Sequence, residues 1–82
     1  MNININIKPK YNIGATVYIA DHYYDFYAQQ TPCIIRDIDI NISRNRISIM
    51  YEVEQKDIIY KVPEGWVFET YAECTKWCNE HN

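Results

Sequence analysis

Between Cys33 and Val53 the chain reads CIIRDIDINI, then SRN, then RISIMYEV, two runs of largely β-branched residues on either side of a short polar break. In the second run Ile47, Ile49, Tyr51 and Val53 share one parity, while Arg46, Ser48, Met50 and Glu52 share the other. That is the period of a strand with one buried face. In the first run Ile34, Ile38, Ile40 and Ile42 oppose Asp37, Asp39 and Asn41, and Ile35 with Arg36 interrupts the alternation. A bend or bulge near the start accounts for the interruption. The pattern therefore predicts a β-hairpin with an isoleucine face. A two-stranded hairpin cannot hide such a face by itself, so the flanking segments are expected to supply the strands and helix that cover it.

Those segments carry weaker signals. Asn2 to Ile7 alternates Asn with Ile, and Pro9 ends any pairing for want of an amide donor, which fits either an edge strand or a loosely held arm over residues 1–10. From Tyr11 to Ala20, Gly14 permits a tight turn and Val17 and Ile19 supply the inward parity of a strand. Asp21 to Pro32 shows neither alternation nor a helical stripe, and is expected to be a long loop. Glu54 to Asp57 is a polar turn; Ile58, Tyr60 and Val62 form a further strand; Pro63-Glu64-Gly65 breaks it, and Trp66-Val67-Phe68 gives a short last strand or tight turn. Thr70 and Glu73 make a capping box, in which hydroxyl and carboxylate each accept from the other's amide, so a helix starts there and ends near Asn79 to Asn82. Tyr71, Cys74 and Cys78, with Trp77 beside them, form its apolar stripe. The expected core is Val17, Ile19, Ile38, Ile40, Ile47, Ile49, Tyr51, Ile58, Tyr60, Val62, Phe68, Cys74 and Cys78.

Eighty-two residues make one domain with a single core and little stability to spare. The charge of −3, from 8 Lys+Arg against 11 Asp+Glu, offers no general attraction to a phosphate backbone. Three cysteines are an odd number without the density of a disulfide scaffold, so free thiols and a cytoplasmic location are expected. No apolar run approaches the roughly 18 residues that span a bilayer, and no membrane association is expected.

The opening Tyr11-Asn12-Ile13-Gly14-Ala15-Thr16-Val17-Tyr18 resembles the first strand of small SH3-like barrel proteins found in bacteria and their phages. The closing Val62-Pro63-Glu64-Gly65-Trp66-Val67-Phe68-Glu69-Thr70-Tyr71-Ala72-Glu73 is similar to their ending, a short strand that runs through a capping Thr into a helix. The element order and this resemblance together imply a mainly β fold, a single small SH3-like barrel of about five strands with a C-terminal α-helix over residues 11–82. The resemblance also implies a phage or prophage accessory protein that binds and modulates a host protein, such as an anti-defence inhibitor.

Asp21-His22-Tyr23-Tyr24-Asp25-Phe26-Tyr27 holds four aromatics within five residues. Such rings are stiff contact area with a polar tip, favoured where protein partners dock. Tyr23, Tyr24, Phe26, Tyr27, Asp21 and Asp25 are the candidate partner-binding residues; the alternative is that Tyr24 and Phe26 or Tyr27 fold back over a barrel end. Arg36, Arg44 and Arg46, with Lys8 and Lys10, are an alternative nucleic-acid patch. Cys74, Cys78 and His81 fall at helical spacing and could offer soft metal ligands, with a fourth from Cys33 or His22, but cysteines on an apolar stripe read first as small core residues. With no phosphate loop, nucleophile elbow or paired acid–base motif, a non-enzymatic module without a cofactor is expected, as a monomer or as a homodimer through the N-terminal strand.

Overall fold

The hairpin forms with the bulge where the alternation broke. The computed structural model describes residues 7–82, and in it β3 (Cys33–Ile42) pairs antiparallel with β4 (Ile47–Gln55), with a register shift between Ile35 and Asp37. Before the shift Ile35 opposes Val53; after it Ile38 opposes Tyr51, Ile40 opposes Ile49 and Ile42 opposes Ile47. Cross-strand partners point to the same side, so the extra residue returns the isoleucines to the face that holds Ile35.

The other strands surround the root of this hairpin. β1 (Thr16–Tyr23) is shared among three neighbours: Thr16 and Val17 pair with β3, Ala20 to Tyr23 pair with β2 (Asp25–Ala28), and Tyr18 and Ile19 pair with β6 (Val67–Phe68). β5 (Ile58–Pro63) joins β4 through a two-residue turn, Lys56-Asp57, and a 3-10 turn (Glu64–Trp66) leads into β6. The result is one antiparallel sheet of order β2-β1-β3-β4-β5 with β6 on β1. The sheet is not closed, so the expected barrel is present only as its element order. Gly14, at φ 92°, makes the turn into β1 that its sequence position requires.

Two buried clusters hold the sheet. Val17, Ile19, Cys33, Ile35, Tyr51, Val53, Val62 and Val67 form one, between the root of the hairpin and β1 with β6. Ala20, Cys74 and Cys78 form the other, where α1 (Tyr71–Glu80) lies on the β1–β2 ribbon with Phe26, Trp66, Phe68 and Trp77 packed around it. The Thr70 hydroxyl accepts the Glu73 amide at 3.1 Å, so the Thr70 half of the capping box starts α1 at its expected place.

Two expectations are corrected. Ile40, Ile47 and Ile58, expected in the core, are 41%, 48% and 53% exposed. β5 ends with Pro63 opposite Met50, so β3 and β4 run on beyond it as a two-stranded arm with no further strand beside it among the described residues. Ile58 opens edge strand β5 opposite Gln55, next to the Lys56-Asp57 turn. The segment from Asp21 to Ala28, expected as loop, is a β-ribbon built from the second half of β1 and all of β2. The expected edge strand Asn2–Ile7 lies, apart from Ile7, outside the described residues, and Ile7 is not in a strand. Among the described residues no helix is long and apolar enough to cross a membrane.

Candidate functional site

The ribbon sorts the aromatic stretch into two faces. Its register sets Ala20 against Ala28, Asp21 against Tyr27, His22 against Phe26 and Tyr23 against Asp25. Alternation then places Ala20, His22, Phe26 and Ala28 on one side and Asp21, Tyr23, Asp25 and Tyr27 on the other. The first side meets α1: Phe26 lies edge-on to Trp66 at 5.3 Å and to Trp77 at 4.9 Å, with His22 edge-on to it at 4.7 Å. Phe26 is thus a packing residue that docks the ribbon on the helix, and it leaves the expected contact set.

The other side stays in water. Tyr23 is 73% exposed and Tyr24, which forms the one-residue bend of the ribbon, is 86% exposed. Their rings lean edge to face at 4.6 Å. Tyr24 sits at φ 65°, a left-handed conformation that a bulky side chain occupies only against strain. The bend turns the chain in a single residue, and the strain is the local cost of that tightness.

Asp21 organises the base of this face. Its carboxylate accepts from the Tyr27 hydroxyl at 3.2 Å, from Gln29 Nε2 at 3.0 Å and from the His22 amide at 2.8 Å. Loss of hydration at the ring and the adjacent Asp21 charge push the Tyr27 phenol up from its ordinary value, so it remains a neutral donor. Asp21 therefore works as a positioning group that fixes the Tyr27 hydroxyl on the face that also carries Tyr23. Asp25 is exposed opposite Tyr23, leaving one acidic group free at the rim.

The remaining candidates separate. Arg36 is in the bulge and bridges Glu54 at 2.8 Å, whereas Arg44 and Arg46 are exposed at the far tip of the arm. The expected arginine patch is therefore split between the two ends of the arm. Cys74 and Cys78 are buried against Ala20, while His81 stacks on Trp77 at 4.0 Å with its Nδ1 at 2.8 Å from the Trp77 carbonyl. Among the described residues no group of three or more His, Cys, Asp and Glu side chains is placed to hold a metal. Burial, and then the neighbouring Cys78, pushes the Cys74 thiol up to about 12, and burial raises Cys33 and Cys78 as well. A thiol so protonated is a poor nucleophile near neutral pH. A cleft of about 450 Å³ lies between Tyr11, the 3-10 turn and α1, with Glu64, Glu73 and Glu80 interspersed with Lys10 and Lys76.

Sequence reasoning missed the division of the aromatics into two faces. The parity of Asp21, Tyr23, Asp25 and Tyr27 carries that division, once a tight bend at Tyr24 is allowed. Comparison with protein-family models, with curated proteins and with solved structures finds no match.

Proposed function

We propose that this chain is a non-enzymatic module that binds a protein partner through the solvent face of the β1–β2 ribbon. Tyr23, Tyr24 and Tyr27 make the contact, Asp21 positions Tyr27, and Asp25 supplies a charge at the rim. The observation that carries this reading is Tyr24, an aromatic ring 86% exposed on a backbone bend at φ 65°. A strained turn that lifts two tyrosines into water is poor for folding and good for contact, since tyrosine brings large area at low side-chain entropy cost. The element order that presents it, strand, ribbon, three-strand meander, 3-10 turn and a short strand returning to β1, is what supports reading the open sheet as a variant of the SH3-like plan. The acidic net charge of −3 suits an accessory protein that occupies a basic surface of its target, such as a host defence protein in a phage-infected cell.

The test is affinity co-purification from bacterial lysate, with and without nuclease. It compares the wild type with a Tyr23→Ala, Tyr24→Ala, Tyr27→Ala variant of unchanged melting temperature. A protein that survives nuclease and is lost with the variant supports the proposal. Recovery of nucleic acid, indifferent to the tyrosines and lost with Arg44→Ala and Arg46→Ala, overturns it in favour of the arginine-bearing tip.

A further inference from the structure

At the foot of the tyrosine face the surface falls into a hollow of about 380 Å³, walled in part by Tyr27, Gln29, Thr31 and Gln55. Its side chains are oriented by a directed chain of hydrogen bonds that starts at a carboxylate. Asp21 accepts from Gln29 Nε2 at 3.0 Å, which leaves Gln29 Oε1 to accept from Gln55 Nε2 at 2.8 Å; the same Nε2 donates to the Thr31 carbonyl at 2.8 Å. The Tyr27 hydroxyl donates to Asp21 as well. Donors are thus spent inside the protein, and acceptors stay open. Gln55 Oε1 and the Thr31 hydroxyl have no hydrogen-bond partner among the described residues, and neither is closed off from solvent.

The charge around the hollow has one sign. No Lys or Arg occurs between Tyr11 and Ile35, although the chain has 8. Asp21 and Asp25, both on the solvent face of the ribbon, form no ion pair among the described residues. Lys56, next to Gln55 in the β4–β5 turn, is exposed, is followed by Asp57 and takes no part in the wall.

We infer that the hollow is an arginine-binding subsite of the tyrosine face. An arginine side chain of the protein partner lays its guanidinium beside the Tyr27 ring and donates to Gln55 Oε1 and the Thr31 hydroxyl. This rests on the ribbon face being the contact surface and adds the residue that the face selects. A site with its donors spent and its acceptors open takes a group that only donates. Arginine offers five N–H groups in a rigid planar fork, which reaches two separated acceptors at once and stacks on a phenol ring; the lysine ammonium is a compact, strongly hydrated point charge. A carboxylate or phosphate would meet the charges of Asp21 and Asp25 with no cation in the wall to answer it.

The test is a nitrogen-15 NMR titration of the full chain with the end-blocked tripeptides Gly-Arg-Gly, Gly-Lys-Gly and Gly-Glu-Gly. The arginine peptide is expected to shift the side-chain amides of Gln29 and Gln55 and the Thr31 backbone amide, and to saturate in the millimolar range. The lysine peptide is expected to bind about tenfold more weakly and the glutamate peptide not at all. Gln55→Leu is expected to weaken the arginine peptide by about tenfold. Equal responses to arginine and lysine, or shifts that lie away from the hollow, around Glu64 and Glu73, overturn the inference. Where Gln55→Leu does not fold, the wild-type shift map and its arginine-to-lysine ratio decide. The contact-face reading fails separately, because Tyr23 and Tyr24 do not line the hollow. A co-purified partner that is lost with Tyr23→Ala and Tyr24→Ala, beside a chain that does not prefer the arginine peptide, leaves the contact face and removes the subsite. Selective arginine binding in the hollow, with no partner that depends on those tyrosines, keeps the subsite and removes the contact face.

Discussion

The carboxamide of Asn82 clasps the backbone of Phe26, accepting its amide at 2.7 Å and donating to its carbonyl at 2.9 Å. β2 is an edge strand, and at Phe26 the outward N–H and C=O would otherwise face solvent as a template for another strand. Asn82 mimics the neighbouring strand with a single side chain, just as α1 delivers Trp77 to the Phe26 ring. Backbone and side chain of Phe26 are thereby held by the same helix end. Asn82→Ala is expected to lower stability by about 1 kcal/mol, the net worth of ordinary hydrogen bonds at a partly exposed site. Amide exchange at Phe26 checks it, and should accelerate well before exchange in β4 does.

Tyr24 sets stability against contact. At φ 65° a glycine has no side chain to strain, so Tyr24→Gly is expected to raise the unfolding free energy by about 0.5–1 kcal/mol, with loss of the Tyr23 contact included. The same change removes the most exposed ring of the proposed contact face. Denaturant midpoints and partner recovery measured on the same protein should therefore move in opposite directions.

Much of this architecture is legible in residue order. Alternation in β4, the break at Ile35 and Arg36, and the Thr70 cap each act through near neighbours, and each is found where the pattern puts it. What is not legible depends on partners distant in the chain. Parity tells that Ile40 and Ile47 share a face with Tyr51, but only the segments distant in the chain that pack on that face decide that Tyr51 is buried while Ile40 and Ile47 are not. The ribbon is hidden for a different reason. Phe26 on its helix side and Tyr23 and Tyr27 on its water side are all aromatic, so hydrophobicity does not alternate although the backbone does. The tyrosine face was legible as composition and not as geometry, because Phe26 is told from Tyr27 only by the helix that covers it.

The β4–β5 turn departs from the residues its geometry favours. Lys56 and Asp57 both have positive φ, 48° and 67°, within a two-residue connection between Gln55 and Ile58. This is the turn for which Asn-Gly is preferred, since both positions are left-handed. Lys56→Asn with Asp57→Gly is expected to stabilise the protein by about 1 kcal/mol, with the register of β4 and β5 unchanged. Thermal melting checks the gain, and an unchanged spectrum of the β5 amides checks the register.

Tyr51 gives the fold a limit at alkaline pH. Its ring is fully buried under the hairpin root, its hydroxyl donates to Glu64 Oε2, and it accepts the Tyr11 amide at 3.2 Å. Burial first, and then the bond to Glu64, pushes the phenol up to about 12 from an ordinary value of 10.0. A phenol whose folded value lies above its unfolded one favours the folded state wherever it stays protonated. That contribution is complete below pH 10 and is lost as the pH rises to about 12. The buried Cys74 thiol has the same sign, with a loss that begins near its unfolded value of 9.0. Urea unfolding from pH 8 upward should therefore show stability falling steadily with pH. Tyr51→Phe is expected to cost about 1–2 kcal/mol at neutral pH, because the Tyr11 amide loses its acceptor, and to flatten the part of the slope above pH 10. An unchanged slope in that variant would assign the alkaline loss to the thiols together with Tyr11 and Tyr27, whose phenols are also pushed up.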